Sequence, residues 1–145
     1  LGVRKQQSLI KSVTHADGTV ETPQESSSTR VIDESVADQV KNAMESVAEG
    51  YSKVVNVKGY RIAAKTGTAE VAGSDGRLTS IVADFAGMIP ADNPRFAITV
   101  IMKDPQGTYG GMTAGPVFAK IGEFLMQKYN VPTSSPRNDA IAVDW

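Results

Sequence analysis

Apolar and polar positions divide the chain into short alternating runs, a helical stretch, a block of strands and a second helical stretch. Near the start, Gln7-Ser8-Leu9-Ile10-Lys11-Ser12-Val13 and Thr19-Val20-Glu21 flank His15-Ala16-Asp17-Gly18. Asp-Gly between β-prone runs predicts a hairpin with a type I′ turn, because that turn needs positive φ at its central residues. Residues 22–30 read as a Ser/Pro/Glu loop with little to bury. From Val36, apolar residues recur at Val40, Ala43, Met44 and Val47, the spacing of one helical face. Asp33 is placed as N-cap, Glu34 suits the positive end of the dipole, and Gly50 can end the helix in left-handed conformation.

The period then changes. Residues 60–71 read as a strand, Ala72-Gly73-Ser74-Asp75-Gly76 as a reversal, and 80–89 as a second strand carried by Ile81, Val82, Phe85 and Met88. Pro90-Ala91-Asp92-Asn93-Pro94 is dense in turn formers. Residues 96–102 are almost continuously apolar, as expected of a strand covered on both faces. Short connections make the three strands antiparallel neighbours. Asp104-Pro105-Gln106-Gly107 and Gly110-Gly111 read as a flexible loop. Pro116 is placed as the first residue of a final helix, with Val117, Phe118, Ile121, Phe124 and Leu125 on its apolar face and Pro132 ending it. Residues 133–145 are expected to form an extended, only partly ordered tail. Hairpin, helix, three antiparallel strands and helix make an α+β layout, with helices covering a sheet. The layout is incomplete, since the third strand is too apolar for an exposed edge.

Composition narrows the chemistry. Across 145 residues, 41% hydrophobic and 21% charged content is that of a globular domain. Fifteen basic and sixteen acidic side chains leave a net charge of −1, which gives no electrostatic case for nucleic acid. No cysteine is present, so disulfides, thiolate metal sites and thiol catalysis are excluded. No cofactor and no metal site are indicated. The chain starts at Leu1, which points to processing or to a piece of a longer polypeptide. The single histidine, His15, falls in the hairpin turn and reads as solvated. Glu45 and Glu49 lie four apart on what reads as the exposed helix side, with Lys41 four before Glu45, so a charge-balanced solvated face explains them.

Lys65-Thr66-Gly67-Thr68 is different, because it gathers a cation, two hydroxyls and a glycine inside a strand. Lys65 and Gly67 point to one face and Thr66 and Thr68 to the other. The glycine leaves room for a backbone or ligand to approach. Lys-Thr-Gly is a box of the penicillin-binding proteins and serine β-lactamases. Its flanks carry more weight than the tripeptide. Gly59-Tyr60-Arg61-Ile62-Ala63-Ala64-Lys65-Thr66-Gly67-Thr68-Ala69-Glu70 resembles the third-strand segment of class B penicillin-binding proteins. Phe85-Ala86-Gly87-Met88-Ile89-Pro90-Ala91-Asp92-Asn93-Pro94-Arg95 resembles their next strand and turn. Asp104-Pro105-Gln106-Gly107, Tyr109-Gly110-Gly111 and Ala114-Gly115-Pro116-Val117-Phe118 resemble their loop before the last helix, and Gly2-Val3-Arg4 and Asp17-Gly18-Thr19-Val20 fit the segment upstream. The resemblance is collinear over residues 1–130. The tail ending in Trp145 resembles septal, cell-division members from actinobacteria.

The resemblance implies the transpeptidase fold of the β-lactamase and penicillin-binding-protein class, present in part. Residues 1–130 would be the C-terminal part of the domain and 131–145 a tail. It implies a peptidoglycan D,D-transpeptidase that cross-links stem peptides by serine acyl transfer. Two further boxes are needed, Ser-x-x-Lys and Ser-x-Asn. Ser8-Leu9-Ile10-Lys11 matches the first in letters but reads as a hairpin strand rather than the start of a buried helix, and Ser-x-Asn is absent. Both boxes are therefore expected upstream of this chain.

By resemblance, Lys65 and Thr68 are catalytic and Lys65, Thr66, Gly67 and Thr68 bind substrate or β-lactam. Lys65 would bond the Ser-x-Asn serine and attract the substrate carboxylate. The Thr66 and Thr68 hydroxyls would bind that carboxylate, and the Thr68 N–H would be half of an oxyanion hole. Gly107 to Gly111 would shape a rim, or serve as a plain connection. Implied partners are stem peptides, β-lactams, the upstream half of the domain and division-machinery membrane proteins. Implied location is the outer face of the cytoplasmic membrane, anchored by an N-terminal helix. The competing readings are a serine β-lactamase or D,D-carboxypeptidase of the same fold, and a catalytically inert binding module.

Overall fold

The computed structural model describes residues 1–7, 9–23, 27–107 and 109–141. By contact the chain divides into two units, Leu1–Gln39 and Val40–Trp145.

In the first unit, β1 (Val3–Lys5) pairs antiparallel with β4 (Ser28–Arg30), Val3 opposite Arg30. Between them β2 (Val13–Thr14) and β3 (Val20–Glu21) form the expected hairpin. Its turn is not type I′, because among 15–19 only Gly18 has positive φ, 86°. The Gly18 N–H closes on the His15 carbonyl at 3.0 Å, and Asp17 Oδ1 accepts the Thr19 N–H and hydroxyl at 2.9 and 2.7 Å. A side chain that caps its own turn makes the second positive φ unnecessary. Residues 28–30, read as loop, supply the partner of β1, whereas 9–12 form no strand and Leu9 is fully exposed.

α1 (Glu34–Gly50) is present, with the Asp33 carbonyl accepting the Ala37 N–H at 3.0 Å. Its buried side differs from the expected one. Glu45, Ser46 and Ala48 are buried, while Val36 and Val40 are 44% and 50% exposed. Gly50 is the last residue of α1 and does not take positive φ.

In the second unit, β5 (Ala63–Ala72), β6 (Leu78–Ile89) and β7 (Phe96–Lys103) form an antiparallel sheet in the order β5-β6-β7. Thr66 lies opposite Phe85 and Gly67 opposite Asp84. α2 (Gly110–Thr113) and α3 (Gly115–Lys128) follow, with Pro116 the second residue of α3 rather than the first. One sheet face meets the helices through Ala83, Phe85, Ile89, Ile98 and Val100. Phe85 is fully buried against Phe118, ring centroids 5.0 Å apart, and burial of a side chain of this size contributes about 2–3 kcal/mol. β7 keeps strict alternation instead of being covered twice, with Ile101 68% exposed, because no described element of this unit covers its outer face. α3 buries Phe118, Ala119, Gly122 and Met126, a ridge with four-residue spacing, and leaves Ile121 and Phe124 at 38% and 58% exposure.

Asn130, not Pro132, ends α3. It takes φ 47°, its N–H reaches the Gln127 carbonyl at 3.2 Å, and the Val131 N–H reaches Met126 at 3.0 Å. That pair of bonds is a Schellman cap, with buried Val131 and Met126 making the accompanying apolar contact. Residues 131–141 have no regular structure but are held at many points. Tyr60 donates to the Val131 carbonyl at 2.6 Å, and both Asp92 oxygens are bonded, by the Ser134 hydroxyl at 2.7 Å and the Ser135 N–H at 2.9 Å. The expected loose tail is thus tied along 131–139. Trp145 lies outside the described residues.

Burial pushes the Asp92 carboxyl up, but the Ser134 hydroxyl, the Ser135 N–H, its own N–H and the Arg61 charge together hold it below its ordinary value of 3.8. A depressed folded pKa gives stability that is present above the unfolded value and lost as pH falls through the folded one. Asp92→Asn should therefore be less stable than the parent chain at pH 7, and the gap should narrow as the pH drops below 3.8, in urea titrations at each pH. A gap that stays constant with pH would contradict this.

Candidate active site

β5 presents Lys65, Thr66, Gly67 and Thr68 at the start of an edge strand. Among the described residues only β6 pairs with it, so its other edge carries no strand. Ala63 and Ala64 immediately before are fully buried, which anchors the strand while Lys65 and Thr68 are exposed. Small side chains there let the strand run close to Gly87 of β6.

The Lys65 ammonium turns along this strand. Nζ donates to the Thr66 carbonyl at 2.8 Å and to Thr66 Oγ1 at 3.3 Å. Thr68 Oγ1 accepts the Gly110 N–H at 3.1 Å. Both threonine hydroxyls thus act as acceptors toward the protein. A hydroxyl has one donor hydrogen besides its acceptor lone pairs, so each keeps its proton for an incoming anion. A cation and two hydroxyl protons along an open strand edge are groups able to bind an anion such as a carboxylate.

Two residues shaping the site were not singled out as site residues from sequence. Asp84 faces Gly67 across the ladder, and a Cβ on Gly67 would collide with its carboxylate. Gly110 was read as part of a flexible loop or rim, yet it and Gly111 are buried in α2. A Cβ on Gly110 would strike the carbonyl oxygens of Gly67 and Asp84, so α2 sits directly on the backbone of β5 and β6. The available signal was the Gly110-Gly111 pair itself. Nothing in the spacing assigned it a partner.

Other expectations sort as follows. His15 is exposed in the hairpin turn, 3.4 Å from a Glu21 carboxylate oxygen. Glu45 is not on an exposed face. Its side chain is 2% exposed and meets Arg61 Nε and Nη2 at 2.8 and 2.7 Å, because two arginines from later in the chain converge on that side of α1. Ser8 lies outside the described residues, and Leu9, Ile10 and Lys11 after it are exposed and not helical. Among the described residues no group of three or more His, Cys, Asp and Glu is placed to hold a metal, and no helix is long and apolar enough to cross a membrane.

With this strand in view, comparison with known proteins defines the class. The family model described as the penicillin binding protein transpeptidase domain matches residues 1–123, and the chain belongs to that family. It is 44% identical over 107 residues to the peptidoglycan D,D-transpeptidase FtsI of Escherichia coli K12, covering 70% of this chain and 18% of that protein. It is 35% identical over 147 residues to the penicillin-binding protein PbpB of Mycolicibacterium smegmatis, covering 92% of this chain and 23% of that protein. Among solved structures, a peptidoglycan synthetase from Bifidobacterium adolescentis is 66% identical with a TM-score of 0.88, covering 99% of this chain and 27% of that one. Penicillin binding protein 3 from Mycobacterium tuberculosis, complexed with ampicillin, is 30% identical with a TM-score of 0.81, covering 95% and 34%. The chain thus spans about a fifth of the curated relatives named here. The expected fold, a partial transpeptidase domain of α+β architecture with actinobacterial kinship, is the one found.

The Gly67–Asp84 contact is open to a direct test. Gly67→Ala should lose about 1–3 kcal/mol in denaturant unfolding, the usual range for overpacking. Adding Asp84→Ala should recover most of that loss. Strictly additive losses in the double variant would remove the collision as the cause.

Proposed function

We propose that the chain is the C-terminal part of a peptidoglycan D,D-transpeptidase domain, residues 1–130, followed by its tail, residues 131–145. The observation that carries the reading is the open edge of β5, where the Lys65 ammonium folds onto Thr66 and the Thr68 hydroxyl lies two residues further along the strand. Lys65 contributes positive potential for the terminal carboxylate of a stem peptide and bonds a serine from the Ser-x-Asn box. The two hydroxyl protons bind the carboxylate. Gly67 keeps the strand thin.

The Thr68 N–H has a further role. N–H and C=O groups of alternate residues point to the same side of an antiparallel strand. The Thr66 carbonyl is reached by the Lys65 ammonium from outside the ladder, so the Thr68 N–H belongs to the same outward set. There it serves as one oxyanion donor, with the nucleophile's own N–H as the other. Donors aimed at developing charge are each worth about 3 kcal/mol. The nucleophile and base come from a Ser-x-x-Lys box upstream of Leu1. It attacks the penultimate D-Ala carbonyl, D-Ala leaves, and an amine of a neighbouring stem peptide takes the acyl group. β-Lactams acylate the same serine.

The relatives, a D,D-transpeptidase and penicillin-binding proteins, support transpeptidation over the β-lactamase and carboxypeptidase alternatives. The whole protein would work at the outer face of the cytoplasmic membrane in septal wall synthesis, held by an N-terminal helix and accompanied by division-machinery membrane proteins. With the upstream half present, Lys65→Ala should reduce labelling by a fluorescent penicillin by roughly a hundredfold. Undiminished labelling would refute the assigned site, and rapid turnover of the penicillin by the unaltered protein would favour a β-lactamase.

A further inference from the structure

We propose that Arg137 is a positioning residue for the Lys-Thr-Gly strand. Residues 131–139 form a strap that sets where β5 begins, and through that anchor the edge carrying Lys65 and Thr68. The catalytic consequence rests on the transpeptidase reading, whereas the mechanical one does not.

The strap holds the segment entering β5 at its backbone. The Ser134 N–H donates to the Gly59 carbonyl at 2.9 Å, and the Arg61 N–H donates to Ser134 Oγ at 3.0 Å. That hydroxyl in turn donates to Asp92 Oδ1 at 2.7 Å. On its other side, the Arg61 carbonyl accepts the Ala91 N–H at 2.9 Å. Residues 59–61 are therefore pinned between the strap and the turn that follows β6.

The strap also holds this segment by charge. Arg61 grips Glu45 Oε2 through Nε and Nη2. Arg137 arrives from the tail with its side chain only 6% exposed. Its Nη2 donates to the Asn42 carbonyl at 2.9 Å and to Ser46 Oγ at 3.1 Å, and also meets Asn42 Oδ1. Its Nη1 lies 2.8 Å from Glu49 Oε2, an ionic contact rather than a directed hydrogen bond. Asp139 closes the group, 3.4 Å from Arg137 Nε and 3.7 Å from Arg61 Nη2, and its carbonyl accepts from Asn42 Nδ2 at 2.9 Å. A buried guanidinium on a segment without helix or strand is what fastens that segment to α1.

β5 begins two residues after Arg61, and Lys65 follows at the fourth. With a partner strand on one side only, β5 is placed by β6, by α2 against Gly67 and Thr68, and by this N-terminal anchor, which holds the segment entering it from the strap. A shift of a fraction of an ångström moves the Thr68 N–H off the position where charge develops, and misplacement by about 1 Å can lower a rate by about a hundredfold. Arginine is suited to the latch because its rigid planar fork spreads five N–H donors over three nitrogens, whereas lysine carries its three donors on one.

Hydrogen exchange on the chain itself separates positioning from general stabilisation. Wild type, Arg137→Ala, Arg137→Lys and Asp139→Asn are compared well below their melting temperatures. Amides in 59–67 should exchange about tenfold faster in Arg137→Ala while those in β7, 96–103, keep their rates, since local and global opening are distinct. Arg137→Lys and Asp139→Asn should accelerate the same segment less, and they carry the comparison if Arg137→Ala does not fold. Uniform acceleration across β5, β6 and β7, or none in 59–67, would overturn the proposal. In a protein carrying the upstream serine box, stopped-flow penicillin binding resolves Kd from the acylation rate constant. Arg137→Lys should lower that rate constant about fivefold at nearly constant Kd. An unchanged rate constant would overturn the catalytic consequence. Undiminished acylation in Lys65→Ala would instead sink the site reading and leave the exchange result standing.

Discussion

A carboxylate taken out of water loses several kcal/mol of hydration, and only cations and donors held at short range restore it. Glu45, 2% exposed, imposes that condition on the second unit. Arg61, just before β5, answers it with two short contacts to Oε2, and Arg137, near the end of the described chain, adds its charge 3.8 Å from the same oxygen, while Oε1 has no hydrogen-bond partner among the described residues. Elements distant in sequence are thereby brought to one carboxylate: the second half of α1, the entry to β5 and the tail. Removing one partner of such a group is expected to be far more damaging than the loss of a surface ion pair, which contributes about 0–1 kcal/mol. The apolar core around Phe85 and Phe118 supplies the bulk of the burial, but it is non-directional. The charge group is directional, and it fixes which face of α1 turns inward.

That constraint explains why the strands were legible in the sequence while the helix faces were not. β5, β6 and β7 announce themselves by period and by Gly-rich or Pro-rich reversals, and their pairing follows from short connections. The entry of β5 into the core is made by small residues, Ala63 and Ala64, that simple hydrophobic counting undervalues. For α1, counting apolar residues selected Val36, Val40, Ala43, Met44 and Val47. A helix whose inward side is decided by an ion group need not follow its apolar stripe. Lys41, four residues before Glu45, made a solvated face the simpler assignment. The true partners lie 16 and 92 residues away from Glu45, beyond any local pattern. Likewise, Asn130 ends α3 before Pro132 can, because a left-handed cap satisfies the last carbonyls at once.

At the candidate site, the chemistry-bearing letters were visible and their environment was not. Lys65-Thr66-Gly67-Thr68 needed only a strand to put cation and hydroxyls together. That Asp84 stands over Gly67 requires the register of β5 on β6, which is set by the length of the 73–76 reversal and a bulge at Val71/Ala72. That Gly110 rests on the backbone of Gly67 and Asp84 requires knowing that the loop after β7 folds back across the sheet. Both are tertiary facts carried by glycines, whose one-letter signal is permissive rather than directive.

The contacts around the strand also give its two sides different duties. Toward the body of the unit, Thr68 Oγ1 and the backbone of Gly67 are engaged by Gly110 of α2, which leaves that side closed. Toward the open edge, Lys65 bonds only its neighbour Thr66 in the contacts described, and the hydroxyl protons are uncommitted. Donors already oriented by the fold need not reorganise when an anion arrives, which is the condition under which such groups lower a barrier most. A strand edge of this kind offers a peptide main-chain pairing for register and terminal donors for its carboxylate. It contributes no nucleophile, and it requires none on its own strand. On the proposed reading, one segment binds and orients through Lys65 and Thr68 at a sheet edge while another attacks.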